Sequence, residues 1–186
     1  CRTAVEGLFG VGEDAGGVHG ANRLGGIGVA DSTVFGGIAG DVMAEWVVGR
    51  SLPRLSTHAV EAAAAHILEP LGRDEGEGLY ALQQRLRDVM WEQVGLVRHA
   101  SGLKAALREI EDIGQRAPRA AVPGGTTYNL AWQDWLNLQS QAAAAWLIAR
   151  SALERAESRG SHFRRDFPDT GVDLYIAHLA GGDTAG

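Results

Sequence analysis

The sequence has almost no cysteine, a deficit of positive charge and no long hydrophobic run. Cys1 is the single cysteine among 186 residues, which excludes an internal disulfide and a cysteine-based metal cluster and fits a reducing, cytosolic-type compartment. Acidic residues outnumber lysine and arginine by 23 to 17, so the net charge is −6 and nucleic acid is not expected as a partner. No apolar run reaches the length of a membrane span, and no signal peptide is recognisable.

The phosphate-binding fingerprint of dinucleotide-binding domains is also missing. No Gly-x-Gly-x-x-Gly segment stands between a predicted strand and a predicted helix. Glycine itself is unevenly distributed, since 12 of the 26 glycines lie within the first forty residues. Because the sequence begins at Cys1 and enters a strand-like segment almost at once, we expect this glycine-rich region to be the end of a domain.

A strand, a glycine-rich loop and a helix are predicted in the first fifty residues. The small apolar residues 5–12 predict a short buried strand that ends at an acid pair, and residues 31–48 predict a helix capped by Asp31, Ser32 or Thr33. The loop between them would bring backbone N–H groups and the positive end of a helix together. Such an arrangement suits an anionic or electron-rich ligand.

The rest of the chain is predicted to be helical. Hydrophobic residues make up 45% of the sequence, enough for a sizeable core. The predicted helices cover residues 56–68, residues 79–93, a segment capped by Ser101, and residues 130–157 after a cap at Asn129. Residues 79–157 alone are typical of a three-helix bundle, and Leu174–Leu179 is predicted to be a short element. We divide the chain into residues 1–52, 53–78 and 79–186.

Several sequence blocks resemble one known family. They are Gly-Leu-Phe-x-x-Gly-Glu at 7–13, His-Gly-Ala-Asn-Arg-Leu-Gly-Gly at 19–26, Val-Phe-Gly-x-x-Ala-Gly at 34–40, Met-x-x-x-Val-Gly-x-x-Arg at 90–98, and Glu-Ser-Arg-Gly-Ser-His at 157–162 with Arg164 and Asp166 after it. In this order they resemble the flavoprotein subunit of succinate dehydrogenase and fumarate reductase, and its relative L-aspartate oxidase.

The resemblance implies an FAD-dependent oxidoreductase that transfers a hydride between flavin and a small dicarboxylate. It implies an α-rich chain, formed by the C-terminal end of an α/β FAD-binding domain and a helical C-terminal domain. The N-terminal FAD-binding portion and the proton donor would lie on another chain or segment. An iron-sulfur subunit is a further implied partner, and the implied location is cytoplasmic or peripheral to the inner face of the membrane through partners.

Four site residues follow from the resemblance. Arg23 corresponds to the arginine that binds a substrate carboxylate, and Glu13 to the glutamate that bonds flavin hydroxyls. Gly28 and Val29 stand where the family usually has Ser-Leu, so they would contact the flavin through the main chain. Without the resemblance, the spacing alone favours an arginine that braces a loop through backbone carbonyls for Arg23 and an exposed turn acid for Glu13.

The remaining polar and aromatic residues favour structural roles. His19 is expected to brace the loop, and the block containing Arg159, His162 and Arg164 to tie the long helix to the flavin domain. The other histidines have no metal-ligand spacing, so no metal site is predicted. The tryptophans on the long helix have the spacing of packed residues.

Two alternatives and two structural predictions complete the sequence-based interpretation. The departure from the family at residues 27–29 keeps L-aspartate oxidase or another flavin reductase open, and a flavin-free helical interaction module is a different class of function. Gly25 or Gly26 is expected to adopt a backbone conformation that disfavours a side chain. The Gly7–Gly12 segment is expected to pair with a sheet from outside this chain.

Overall fold

The computed structural model describes residues 1–51 and 54–171. The chain divides into two compact units, Cys1–Leu55 and Ser56–Gly186. The sequence-based division after residues 52 and 78 stays a prediction. The short element predicted at Leu174–Leu179 lies outside the described residues.

The first ten residues of the first unit fold back on themselves. The amide of Thr3 donates to the carbonyl of Leu8 over 3.1 Å, and that of Gly10 to the carbonyl of Cys1 over 2.9 Å. Gly7 has φ 83°, which turns the chain in a way that extended strands do not allow. The predicted strand over 5–12 is therefore wrong, while the pairing of this segment with a sheet from outside the chain stays a prediction. A single 3-10 turn, Gly12–Asp14, follows instead.

Helix α1, Ile27–Val47, is the main element of the first unit. It begins four residues earlier than predicted, because Gly26 with φ 85° serves as its N-cap. Asp31 is thus inside the helix and buried, not at its cap. The predicted apolar face is open within this unit: Val34 is 56% and Ile38 46% exposed.

Among the described residues α1 is the one helix long and apolar enough to cross a membrane by length and composition. This finding corrects the sequence-based expectation that no apolar run reaches the length of a membrane span. Glycine and alanine stand between the larger apolar residues of α1. Because neither is polar, the helix is apolar on average, although its larger apolar residues do not form a continuous run. Core helices of soluble proteins have the same length and composition.

The described residues of the second unit, 56–171, form four α-helices and two very short strands. The helices are α2, Thr57–Leu68; α3, Leu79–Val94; α4, Ala100–Arg116; and α5, Leu130–Glu154. Strand β1, Val97–Arg98, pairs in parallel with β2, Phe163–Arg164. The predicted caps at Ser56 and Asn129 are confirmed, since their side chains accept hydrogen bonds from the amides of Ala59 and Trp132.

Helices α3, α4 and α5 pack against one another around the hydrophobic core. Its larger deeply buried members include Val89, Leu103, Ile110, Trp135 and Leu138, each at most 1% exposed. The three-helix-bundle prediction is confirmed. The indole N–H of Trp146 donates to Glu111 and that of Trp132 to the carbonyl of Ile67, as expected of packed tryptophans.

Two helix ends differ from the prediction. His99, not Ser101, caps α4, because its Nδ1 accepts from the amide of Gly102 over 3.1 Å. Helix α5 ends at Glu154 instead of residue 157, with Arg155 in extended conformation. The buried guanidinium of Arg164 donates hydrogen bonds to the last carbonyl groups of α5, including those of Ala152 and Leu153.

Candidate functional site

The glycine-rich loop brings Arg23 and Glu13 together. Nη1 of Arg23 lies 3.2 Å from Oε1 of Glu13, and the two side chains are 49% and 71% exposed. Arg23 lies between the 3-10 turn and α1, whereas Glu13 belongs to the turn itself. Because both groups are exposed, their ion pair is weak and easily exchanged for another partner.

Gly28 forms the surface beneath this pair. A β-carbon at Gly28 would collide with Nη1 of Arg23 and lie 3.0 Å from Oε1 of Glu13. Three of the four predicted site residues therefore meet at one place. Val29 does not join them: its side chain is 74% exposed, and its amide donates to the carbonyl of Gly26 over 3.2 Å.

Two glycines fix the backbone around the site. Gly26 has φ 85°, which confirms the expected conformation at one of the two glycines named from the sequence. Gly12 has φ 67°, and a β-carbon there would lie 2.7 Å from Oγ of Ser32. The first turns of α1 thus pack closely on the 3-10 turn, and the partial positive charge of the helix start lies beside the loop.

A second polar contact lies inside the loop. Nε2 of His19 lies 3.3 Å from Oδ2 of Asp31, and the two side chains are 20% and 3% exposed. Oδ2 accepts no hydrogen bond from the described residues, so the expected hydrogen-bonded bracing role of His19 stays a prediction. Sequence reasoning missed Asp31 as its partner, because a helix starting at residue 31 would have used that carboxylate as a cap. The signal that could have found it is the Gly25–Gly26 pair, where an earlier helix could begin.

The arrangement fits an anionic cofactor and a carboxylate ligand. Gly25 and Gly26 have no atom within 4 Å of the position of a β-carbon, so the backbone of the loop is open to close approach. A guanidinium, a helix start and a carboxylate acceptor lie around this open face. Groups of three or more metal-ligating side chains do not occur among the residues that the structure describes.

The C-terminal block forms a buried network in the second unit. Arg164, 1% exposed, donates to the carbonyls of Ala152, Leu153 and Arg155 and makes a two-point contact with Asp166 at 2.8 and 2.9 Å. Asp166 in turn accepts from the amide of Ala100 at the start of α4. Arg164 lowers the pKa of the Asp166 carboxyl below its usual range.

His162 extends the network to α3. Its Nδ1 accepts from Arg98 at 2.8 Å, while its Nε2 donates to the carbonyl of Arg155 at 3.1 Å. Burial lowers the pKa of His162 and nearby guanidinium groups add to the effect, so the ring stays neutral. Arg98 also donates to the carbonyls of Val94 and Gly95.

This network gives the block a role within the helical unit that the sequence analysis did not predict. Arg164 and Asp166 join the end of α5 to the start of α4, and Arg98 with His162 joins the end of α3 to that of α5. These links lie within the helical unit. The proposed tie to the flavin domain stays a prediction.

Two family models match the chain. Residues 83–182 match the model described as fumarate reductase flavoprotein C-term, and residues 1–29 match the FAD binding domain. The first match covers more than half of the chain. The second includes the loop that carries Glu13, Arg23 and Gly28.

Curated relatives and solved structures agree with these matches. An FAD-dependent oxidoreductase of Methanocaldococcus jannaschii is 41% identical over 91% of this chain and 30% of its own length. One chain of the CoM/CoB fumarate reductase of Methanothermobacter marburgensis is 36% identical, with the same coverage. The L-aspartate oxidase of Rhodospirillum rubrum is 37% identical over 91% of this chain and 52% of its own length.

The Sdh1 complex of Mycobacterium smegmatis in the apo form contains a chain with the same fold. It superposes with a TM-score of 0.84 and 36% identity, over 88% of this chain and 28% of that chain. A quinol–fumarate reductase also gives a TM-score of 0.84, with 26% identity over 94% of this chain and 31% of its own. The chain thus spans about 30% of the first relatives that it matches.

Proposed function

This chain belongs to the fumarate reductase flavoprotein family, and from this we propose that it is part of an FAD-dependent oxidoreductase acting on a small dicarboxylate. The single observation that carries the proposal is the meeting of Glu13, Arg23 and Gly28 at the open loop before α1. These are the residues at which the resemblance predicts flavin and substrate contacts. The fold supports the same family assignment.

Arg23 is proposed to hold one carboxylate of the substrate. Its guanidinium can form two parallel hydrogen bonds to a carboxylate, which a lysine cannot reproduce. The present partner, Glu13, is 71% exposed, so little free energy opposes the exchange for a substrate. Holding one end of a dicarboxylate in a single orientation brings the reacting carbon atoms to a fixed place.

Glu13 and the main chain at Gly28 are proposed to hold the cofactor. The Glu13 carboxylate would accept hydrogen bonds from hydroxyl groups of FAD. Gly28 is buried beneath the Arg23 guanidinium, so its main chain would contact the flavin only after Arg23 has turned to the substrate. Val29 contributes less than the resemblance implies, because its amide is already bonded to Gly26. When bound, FAD supplies the group that accepts or donates the hydride.

The remaining parts of the active site are proposed to come from outside these residues. The proton donor and an N-terminal FAD-binding portion belong to another chain or segment, and an iron-sulfur subunit is a further proposed partner. Association with such subunits would place the protein in the cytoplasm, at the inner face of the membrane. The relatives' names support this assembly, since two of them are subunits of fumarate reductases.

L-Aspartate oxidase activity is the second candidate. It is favoured by the Rhodospirillum relative and by Ile27 and Gly28, which replace the residues that the resemblance leads one to expect in strict succinate dehydrogenases. Both candidates use a dicarboxylic acid, so Arg23 would have the same role. They differ in the bond oxidised, carbon–carbon or carbon–nitrogen, and in the electron acceptor.

The test uses the full-length protein that contains this chain, purified with its partner subunits. We expect the visible absorbance of flavin, and turnover with succinate and a dye acceptor or with fumarate and a reduced dye. Turnover with L-aspartate and oxygen alone would select the second candidate. A protein without flavin absorbance that still folds would support a helical interaction module instead.

A further inference from the structure

We propose that Asp31, acting through His19, is a positioning residue that holds the glycine-rich loop so that Arg23 can engage a carboxylate. The inference rests on the proposed function. It concerns a pair to which the family resemblance assigns no catalytic role. Its support is the burial and spacing of two side chains on either side of Arg23.

The carboxylate of Asp31 is buried on α1 and depends on His19. Only 3% of its side chain is exposed, and Nε2 of His19 lies 3.3 Å from its Oδ2. This oxygen accepts no hydrogen bond from the described residues, and the ring of His19 is the polar group that lies beside it. The two residues line a cavity of about 220 Å³ whose other walls are mostly apolar, formed by Val18, Ile27, Ala30, Val34 and Phe35. In such surroundings an unpaired carboxylate is costly, which holds the ring in place.

The pair closes the loop that contains Arg23. His19 stands four residues before Arg23 and Asp31 eight residues after it, with Gly20, Gly25 and Gly26 between them. Gly20 and Gly26 have positive φ values, 62° and 85°. Glycines leave a chain segment many conformations, so holding Arg23 in one of them has an entropic cost. A link between residues 19 and 31 reduces that cost before any ligand binds.

Ligand binding makes this link more important. Among the described residues, the side chains of the loop make two polar contacts, His19 with Asp31 and Arg23 with Glu13. In the proposed function Arg23 leaves Glu13 for a substrate carboxylate, and Glu13 turns to the cofactor. His19–Asp31 is then the side-chain link that remains to fix the loop.

The first experiment measures the Asp31→Ala variant of the flavin-loaded full-length protein. We expect KM for the dicarboxylate, and Kd for the non-reacting dicarboxylate malonate, to rise about 10- to 100-fold because Arg23 is misplaced. Flavin content and kcat should change much less. The Asp31→Asn variant keeps an oxygen beside His19, so its KM and its malonate Kd should lie within about threefold of the wild-type values. Asp41→Ala, an exposed acid on the same helix, is the matched control and should leave both constants unchanged.

The second experiment separates positioning from general support of the helix. In an Arg23→Lys background, Asp31→Ala should add little to KM or to the malonate Kd, because two residues that act through one contact are not additive. An equal fold-change in both backgrounds would mean that Asp31 does not act through Arg23, and the inference would be overturned.

Two further outcomes are decisive. If Asp31→Ala loses flavin or unfolds, His19→Gln replaces it: raised KM and malonate Kd with normal flavin content support the inference, and unchanged constants overturn it. If the wild-type protein binds no dicarboxylate, the proposed function and this inference fall together. If it does bind one and both constants stay at wild-type values in Asp31→Ala, only this inference falls.

Discussion

At the scale of single residues, Arg23 and its neighbours show how one loop combines a cation, an acceptor and open backbone. The guanidinium of Arg23 rests on Gly28 because that position has no β-carbon. Glu13 reaches the same point from the preceding 3-10 turn. Each side chain is exposed, so the loop is able to exchange its internal contacts for those of a ligand.

Arg23→Lys is expected to retain the fold and the flavin but to lose most turnover. Lysine keeps the charge but cannot form two parallel bonds to a carboxylate, and the loss should raise the barrier by about 2–4 kcal/mol. The measurement is kcat/KM with succinate or fumarate in the full-length protein. Arg50→Lys is the control, since Arg50 pairs with Glu6 in the same unit and has no proposed role. A near-normal kcat/KM in Arg23→Lys would remove Arg23 from the substrate site.

Gly26 and Gly25 form a matched pair for a test of the backbone. Gly26 has φ 85°, whereas Gly25 lies outside the positive-φ region, and neither has an atom near the position of a β-carbon. Gly26→Ala should therefore cost about 1–2 kcal/mol of strain in the loop, and Gly25→Ala should cost much less. We expect weaker FAD binding in Gly26→Ala, with helix content unchanged by circular dichroism. Equal FAD affinity in the two variants would show that loop conformation does not matter for the cofactor.

At the scale of secondary structure, helix ends determine where the second unit is held together. The C-terminal ends of α3 and α5 carry unpaired carbonyl groups, as all helices do. Arg98 and Arg164 satisfy these carbonyls, and Asp166 connects Arg164 to the start of α4. The block noted in the sequence is thus a junction of three helix ends.

Arg164→Met should be strongly destabilising, while Arg165→Met should be nearly neutral. Arg164 is 1% exposed and donates to three carbonyls and to Asp166. Its removal leaves these acceptors unpaired, and breaking a buried ion pair costs about 3–5 kcal/mol. Arg165 is exposed on the neighbouring position. Urea unfolding of both variants measures the difference, and similar midpoints would refute the junction role.

Glu157 should make the stability of the helical unit depend on acid pH. Hydrogen bonds from Arg159, then from Arg155, lower its pKa from 4.5 to about 2. The folded state therefore binds a proton less readily than the unfolded state. The stabilisation is fully present above pH 4.5 and is lost as the pH falls from 4.5 towards about 2.

The variant Glu157→Gln tests this dependence. Wild type should unfold at a higher temperature than Glu157→Gln at pH 7, and the difference should shrink as the pH falls to about 2. Glu92→Gln, which changes an exposed acid on α3, is the control and should follow wild type throughout. A constant difference between wild type and Glu157→Gln across this range would show that the carboxylate charge does not contribute.

At the scale of the whole molecule, the chain corresponds to only a part of the length of its relatives. It spans about 30% of the first relatives that it matches, and its FAD-domain match covers only residues 1–29. In the proposed function its own residues supply a carboxylate clamp and a cofactor contact. The fingerprint that binds the cofactor's phosphates is not among them.

The 186 residues alone are therefore expected to bind little FAD and to show no turnover. Adding a polypeptide with the N-terminal FAD-binding portion should restore both, because it supplies the phosphate-binding segment and the proton donor. Native mass spectrometry and flavin absorbance measure the outcome. A 19.7 kDa monomer that binds FAD in equal amount and turns over a dicarboxylate would contradict this expectation.

The helices of the second unit were predictable from local sequence, whereas the residues of the candidate site came from the family resemblance. Periodic apolar positions such as Leu82, Leu86 and Val89 predicted a buried face that the structure contains, because helix geometry follows directly from spacing. The caps at Ser56 and Asn129 were also predictable, since capping depends on residues three positions apart. The motifs around Glu13 and Arg23 indicated the family before any contact was known.

How distant residues meet depended instead on the folded chain. The strand predicted over 5–12 failed because positive φ at Gly7 turns the chain, and an apolar run does not reveal that turn. The end of α5 was set by Arg164, which lies ten residues beyond Glu154. Asp31 became the partner of His19 because α1 starts at Gly26. Such contacts depend on where the backbone turns, which local propensity does not determine.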